Sequence, residues 1–221
     1  MKSKIGVEEA LKGRSKPTVV YWFGNTLYLN VTNRCTNDCY FCFRRFTDGI
    51  WNFNLRLERE PSTGEVIHSL REALKRGYWK RVTFCGFGEP TLRLPLLLEV
   101  ARWLKKNHPA LTLGLDTNGQ GYLINEGVNV VQELVKAGLD RVSVSLNAQD
   151  EETYRIVCKP KLDGAYKAVL NFIRDSRDAG LETEVTAVAI PEVNLEKIRA
   201  QAESMGVTFR LRIYEGPLSF L

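Results

Sequence analysis

From residue 27 onward, two hydrophobic periods take turns along the chain. Period-two stretches at 27–32, 81–86, 111–116, 141–147, 182–190 and 208–214 predict strands. The stretches between them repeat at helical spacing and predict helices over 62–76, 94–107, 129–137, 163–179 and 194–204. In the first of these Val66, Ile67, Leu70 and Leu74 form one stripe. Ser62 and Glu65 make a capping box there, and Gly77 ends the helix. Asn194 reads as an N-cap, with Glu196 in the first turn where the helix dipole favours it. Gly138, Gly180 and Gly206 are stop signals.

Strands that alternate with helices imply βαβ units, right-handed crossovers and a mostly parallel sheet. Six such units fall short of the eight in a closed TIM barrel, which takes roughly 250 residues. The expected fold is therefore α/β, an open sheet or partial TIM-like (β/α)6 barrel. Residues 19–23 and 27–31 flank Gly24-Asn25 and read as a hairpin, while residues 1–16 read as a short helix or loose arm. The expected division is an arm and hairpin strand over 1–26 and one core domain over 27–221.

The strand faces carry a second message. One face presents Leu27, Leu29, Val31, Val82, Phe84, Leu113, Leu115, Val142, Val144, Val185, Phe209 and Leu211. The other presents Tyr28, Asn30, Thr32, Thr83, Cys85, Asp116, Ser143, Ser145, Asn147, Glu184, Thr186, Arg210 and Arg212. A parallel sheet covered on both faces reads as continuous apolar runs. If helices cover the apolar face here, the polar faces converge on a cavity for a polar ligand. A flat sheet with one solvated face is the alternative.

Composition narrows the class. The chain has 221 residues, 44% of them hydrophobic, enough for one well-filled core. No run of about 18 apolar residues is present, so no membrane span is expected. The first residues are charged and lack an apolar signal core, which predicts a cytoplasmic location. The net charge of +5 is spread along the chain and reads as a solvated surface; a nucleic-acid footprint is possible but not indicated. His68 and His108 read as surface residues. Five cysteines without a signal peptide point to metal or chemistry rather than to a disulfide framework.

Three of these cysteines fall in VTNRCTNDCYFCFRR, spaced Cys35-x3-Cys39-x2-Cys42 just after the first strand. Three thiolates so close can cap three irons of a cubane cluster and leave the fourth iron open. A structural zinc site, completed by Cys85, Cys158, His68 or His108, is the alternative, although zinc favours paired short spacings that are absent here.

The cysteine spacing, with Phe41 ahead of the last thiol, resembles the signature of the radical S-adenosylmethionine (SAM) superfamily. FCGFGEPT over 84–91 is similar to that superfamily's Gly-Gly-Glu-Pro element, in a Gly-x-Gly-Glu-Pro form. Thr117-Asn118-Gly119 and Ser145-Leu146-Asn147-Ala148 resemble its endings of the third and fourth strands. A closer likeness is to the small radical SAM group associated with TatD-type nucleases, carried by NVTNRCTNDCYFCFRR, FCGFGEPTLR, DTNGQG, VSVSLNAQDEETYRIVCKP and VTFRLRIY. That association gives no warrant that the chain touches DNA.

The resemblance implies a [4Fe–4S] cluster on Cys35, Cys39 and Cys42. It implies reductive cleavage of SAM to a 5′-deoxyadenosyl radical that abstracts hydrogen from a substrate. Gly86, Gly88 and Glu89 would receive the SAM amino group, and Ser145 and Asn147 the ribose hydroxyls. Asp116 and Asn118 would help, and Phe41 would pack near the adenine or in the core. An electron donor such as ferredoxin or flavodoxin is implied. Arg44, Arg93, Arg210 and Arg212 are candidates to bind an unidentified anionic substrate, because an inward arginine needs an anionic partner. The alternative for these arginines is pairing with Glu184, Asp116 or solvent. Cys158 is a candidate reactive thiol at the rim of the site. A non-catalytic zinc or iron–sulfur binding module and a nucleic-acid-modifying radical SAM enzyme are the competing functions.

Overall fold

The computed structural model describes residues 16–214 and 216, so the predicted arm over 1–16 lies outside the described residues apart from Lys16. Strands β1 (Val20–Phe23) and β2 (Thr26–Leu29) form the antiparallel hairpin that Gly24-Asn25 predicts, with Phe23 opposite Thr26. Strands β3 (Gly49–Ile50) and β4 (Phe53–Asn54) form a second, small hairpin. Helix α1 (Thr63–Leu74) precedes β5 (Arg81–Phe84), and α2 (Leu94–Asn107) precedes β6 (Thr112–Thr117). The short α3 (Gly121–Ile124) and α4 (Val130–Lys136) lead to β7 (Arg141–Ser145). Helices α5 (Glu151–Cys158) and α6 (Ala165–Asp178) lead to β8 (Glu182–Val188), and α7 (Leu195–Ser204) leads to β9 (Thr208–Arg212).

The main sheet runs β1-β2-β5-β6-β7-β8-β9, with every pair parallel except β1 with β2. It is an α/β sheet of six parallel strands, open between β9 and the antiparallel edge β1. Register explains the two faces. Asp116, Ser143, Glu184 and Thr208 fall on one row, and Ser145, Thr186 and Arg210 on the next. Leu29, Phe84, Leu115 and Val142 make an apolar row between polar ones, and these four are almost wholly buried among the helix residues of the main core. The capping box at Ser62 and Glu65 forms, and Asn194 accepts from Lys197 N.

Two features differ from expectation. Strand β2 stops at Leu29, because Asn30 turns its amide onto Thr18 O and Leu55 O and the chain leaves for the cysteine loop. The inner face is also not polar throughout. The segment carrying β3 and β4 packs Leu55, Phe43, Ile50 and Phe53 against Tyr21, Tyr28 and Phe87. This apolar plug fills the inner face beside β1 and β2. The polar chamber is left to the side of β5 through β9. No helix among the described residues is long and apolar enough to cross a membrane.

Candidate functional site

The cysteine loop leaves the carboxyl end of β2 and lies over the ends of its neighbours. Cys35, Cys39 and Cys42 are free, partly exposed thiols. Each sulfur has hydrogen-bond donors. Cys35 Sγ accepts from Asn37 N at 3.4 Å and from Asn118 Nδ2 at 3.7 Å, and Cys42 accepts from the Arg44 backbone. Cys39 faces the thiol of Cys158. Burial and the nearby Glu89 carboxylate push the Cys35 thiol up to about 11. The hydrogen bond to Cys158, then burial, push Cys39 well up, and burial raises Cys42. In the ligand-free protein all three are therefore protonated at neutral pH, and a bound metal must displace their protons.

The loop is clamped from both sides. Arg44 donates to Asn33 O, Asn37 O and Phe87 O at 3.1, 3.0 and 3.3 Å. Arg93 donates to Glu60 at 2.9 Å and to Pro61 O, and Glu60 also accepts from Thr32 and Arg34. Both arginines are thus hydrogen-bonded within the protein. An open hollow of about 450 Å³ lies beside Cys35, edged by Arg34, Arg44, Lys161 and Leu92.

The GFGEP element is joined to this loop. A Cβ on Gly86 would overlap Asn30, and one on Gly88 would overlap the carbonyl oxygens of Thr32 and Arg34. These glycines are needed for close approach of the protein to itself. Glu89 N donates to Arg34 O at 2.8 Å. The Glu89 carboxylate is 2% exposed. Its Oε1 accepts from Thr91 N, Thr91 Oγ1 and Thr117 Oγ1, and its Oε2 accepts from Asn118 N at 2.6 Å. This differs from the expectation that Glu89 offers a free acceptor to an ammonium group. Burial raises its pKa, against the lowering effect of those donors. It staples the end of β6 to the turn after β5.

Beyond β6 the candidates divide. Asn118 Nδ2 also donates to Thr36 Oγ1 at 2.7 Å, which ties β6 to the cysteine loop. Ser145 is partly exposed on the inner row and makes no side-chain hydrogen bond among the described residues. Asn147 adopts a left-handed φ of 57° and its Oδ1 accepts from Val188 N at 3.2 Å, so it braces β7 against β8. Phe41 is 8% exposed and packs within the main core.

The chamber floor holds Cys85 and Asp116. The Cys85 thiol lies beside the Asp116 carboxylate, and Tyr21 Oη donates to Cys85 O at 3.3 Å. Burial raises the Asp116 pKa, while Arg212, Arg210 and Arg141 lie near enough to oppose that rise. Asp116 thus belongs to the floor shared with the arginines. Arg210 pairs with Glu184 at 2.8 Å, and Glu184 also accepts from Ser143 Oγ. Arg212 makes no ion pair among the described residues, and its charge reaches Cys42, Cys85 and Asp116.

Sequence reasoning missed helix α5 and the network beneath the loop. Tyr154 Oη accepts from Asn37 Nδ2 and from Gln120 Nε2, both at 3.0 Å, and Gln120 Nε2 reaches Asn37 Oδ1. The signal was present. Asp150 caps the helix by accepting from Thr153 N, Glu151 and Glu152 fill its first turn, and Tyr154, Val157 and Cys158 share its buried face. Cys158 is fully buried behind Cys39, which corrects its placement at the rim.

The donor set fits a cubane cluster better than a single ion. A mononuclear zinc holds its sulfurs about 2.3 Å from one centre. Among the described residues no three His, Cys, Asp or Glu side chains converge in that way. Thiolates that each cap a different iron need only line one loop, as these do.

Comparison with known proteins agrees. The probable GTP 3′,8-cyclase of Pyrococcus horikoshii is 33% identical over 132 residues, covering 59% of this chain and 37% of that protein. The chain spans between about a third and a half of the length of the curated relatives it matches. Among solved structures, methylornithine synthase (PylB) superposes with a TM-score of 0.59 at 18% identity, over 97% of this chain and 61% of that one. TYW1 with a lysine-pyruvate adduct bound gives 0.60 at 20% identity, over 87% and 65%. These structures share the partial-barrel fold. The Radical SAM superfamily profile matches residues 29–204, most of the chain, including the cysteine loop, the GFGEP element and the endings of β6 and β7, and the chain belongs to that superfamily.

Proposed function

We propose that this chain is the catalytic core of a radical SAM enzyme acting on an anionic substrate. The observation that carries the reading is the cysteine loop itself. Its three free thiols sit on a segment bonded to the ends of both β5 and β6, through Glu89 N and Asn118 Nδ2. Cys35, Cys39 and Cys42 would hold a [4Fe–4S] cluster with one iron open to SAM. A cluster held there would supply one electron to the SAM sulfonium, whose S–C5′ bond would break to give methionine and a carbon radical able to take hydrogen from a substrate.

The rest is binding and orientation by this chain. Backbone at Gly86 and Gly88 lies beside the loop and would receive the SAM ammonium, while Glu89 fixes that backbone. The Ser145 hydroxyl, unengaged on the inner row, would take a ribose hydroxyl. Asn147 would act by bracing β7 against β8. Arg212 is the candidate anchor for the substrate anion, with Arg210 already neutralised by Glu184. Relatives named GTP 3′,8-cyclase are named for an anionic nucleotide, which supports the substrate class. The hollow beside Cys35, edged by Arg34 and Lys161, would suit an acidic one-electron donor such as ferredoxin or flavodoxin. A set of free thiols on this scale belongs in a reducing, cytoplasmic setting. Within the superfamily we group the chain with the TatD-associated radical SAM proteins, on the sequence stretches quoted above.

Anaerobic reconstitution with iron and sulfide tests the reading. About four irons per chain, and 5′-deoxyadenosine formed from SAM only with dithionite, are expected. Tight zinc binding with no SAM cleavage would sink it, and salt-dependent RNA or DNA binding would move it toward a nucleic-acid substrate.

A further inference from the structure

Cys158 has no part in the reading above, yet the fold places it with care. Downstream of α5 the chain turns back at Lys159, which adopts a left-handed φ of 46°. The end of α5 and the segment after it both bond to the cysteine loop. Asn37 bridges Pro160 in antiparallel sense, Asp38 N donates to Lys159 O at 3.2 Å, and Tyr40 N donates to Val157 O at 3.3 Å. Asp38 N also donates to Cys158 O at 3.0 Å, which sets Cys39 beside the last residue of α5. The two thiols face each other across this contact, and Cys158 is fully buried.

The contact is held from beneath. Tyr154 lies one helical turn before Cys158 and is 1% exposed. Its hydroxyl accepts from Asn37 and Gln120, so the same network fixes the loop and the end of α5. Gln120 comes from beyond β6, so three strand ends meet at this point.

We propose that Cys158 is a positioning residue for the cluster: its S–H donates to the sulfur of Cys39 and eases reduction of the cluster. The proposal rests on the reading that Cys39 is a cluster ligand. A ligating thiolate has no hydrogen to give, so in the loaded protein the hydrogen between these sulfurs belongs to Cys158. Cluster reduction adds negative charge that spreads onto the ligand sulfurs. A donor at one of those sulfurs stabilises the reduced form and raises the potential. Cys35 and Cys42 take donors from backbone and amide N–H groups. Cys39 alone takes one from a thiol, which links it to α5.

The test is a redox titration of the reconstituted protein, followed by electron paramagnetic resonance of the reduced cluster. Cys158→Ala should retain a full complement of iron and titrate at a lower potential than wild type. Cys158→Ser, which keeps a donor, should return toward the wild-type value. Equal potentials in wild type and alanine variant overturn the proposal, and so does a serine variant that behaves like alanine. If the alanine variant loses its cluster, Cys158→Val takes its place, since it fills the space without a hydrogen to donate. Loss of the cluster in the alanine, valine and serine variants together also overturns it, because packing then explains the residue. A second readout needs no iron. Mild oxidation of the apoprotein should join Cys39 to Cys158, as mapped by peptide mass spectrometry, and a link from Cys158 to Cys35 or Cys42 instead would contradict the register. Absence of a four-iron cluster in wild type would fail the proposed function itself, and is distinguishable from all of these.

Discussion

The strand ends of β2, β5 and β6 and those of β8 and β9 belong to one sheet, yet they are finished differently. On the first side the polar groups are buried and engaged. Asn30, Glu89, Thr117, Asn118 and Gln120 are each at most 7% exposed, and each bonds to a neighbouring loop. On the second side Arg210 and Arg212 are exposed, as are Leu211 at 46% and Ile213 at 79%. A cofactor common to a whole superfamily needs the same geometry every time, and a buried polar network holds geometry well. A substrate that varies among relatives needs a surface free to differ. In the function proposed above, the first side would serve the cofactor and the second the substrate.

The strongest way to break this division is to remove a ligand. Replacing Cys35, Cys39 or Cys42 with alanine should abolish iron binding and bring 5′-deoxyadenosine to background, as read by iron analysis and chromatography. Retention of a full cluster in any of the three would show that the replaced cysteine is not a cluster ligand. The folded apoprotein should survive each change, because none of these thiols is fully buried.

Next in size is Glu89→Ala. It leaves four donors at Thr91 N, Thr91 Oγ1, Thr117 Oγ1 and Asn118 N without their acceptor in a buried site. An unsatisfied buried group costs about 1–3 kcal/mol, so a loss of about 3 kcal/mol in urea unfolding of the apoprotein is expected. A loss below about 1 kcal/mol would mean that the staple is loose and that Glu89 is free for a ligand.

On the second side the expected effects are smaller. Burial pushes Glu184 up, but Arg210 and Ser143 outweigh it and hold its carboxyl below the ordinary glutamate range. A depressed folded pKa gives stability that is present above the unfolded value, near 4.3, and lost as pH falls through the folded value. Arg210 is half exposed, so water screens the pair and the contribution stays below about 1 kcal/mol. Glu184→Gln should flatten the stability profile between pH 5 and 3 by that amount. An unchanged profile would place Glu184 outside any working ion pair.

Much of this was legible in the sequence, because period and punctuation are local. The alternating faces, the hairpin at Gly24-Asn25 and the cap at Ser62 depend on residues a few positions apart. What escaped depends on partners far along the chain. Glu89 reads as an acceptor for the SAM amino group, and its bonds to Thr117 and Asn118, at the end of another strand, are seen only in the fold. Arg44 reads as a substrate cation until Asn33 O and Phe87 O are found at its guanidinium. The plug of Phe43, Ile50 and Phe53 gave no signal, because its hairpin strands are two residues each and carry no period. Helix α5 was hidden by its eight-residue length, although its cap and first turn were in view.

The finest test compares the two arginines of β9. Arg210 is bound to Glu184, whose side chain is only 15% exposed, so Arg210→Ala would leave a half-buried carboxylate without its cation. Arg212 makes no ion pair among the described residues and lies exposed at the end of the strand. A surface change away from buried contacts moves stability by no more than about 0.5 kcal/mol, so Arg212→Ala should unfold with wild type in urea while Arg210→Ala unfolds earlier. That difference separates an arginine that serves the fold from one held for a ligand. If Arg212→Ala instead costs more than about 1 kcal/mol, the residue has a protein partner, the chamber has no spare cation, and the anionic substrate loses its anchor. If both variants match wild type, the Glu184 pair is a solvated contact and Arg210 rejoins Arg212 as a candidate for the substrate.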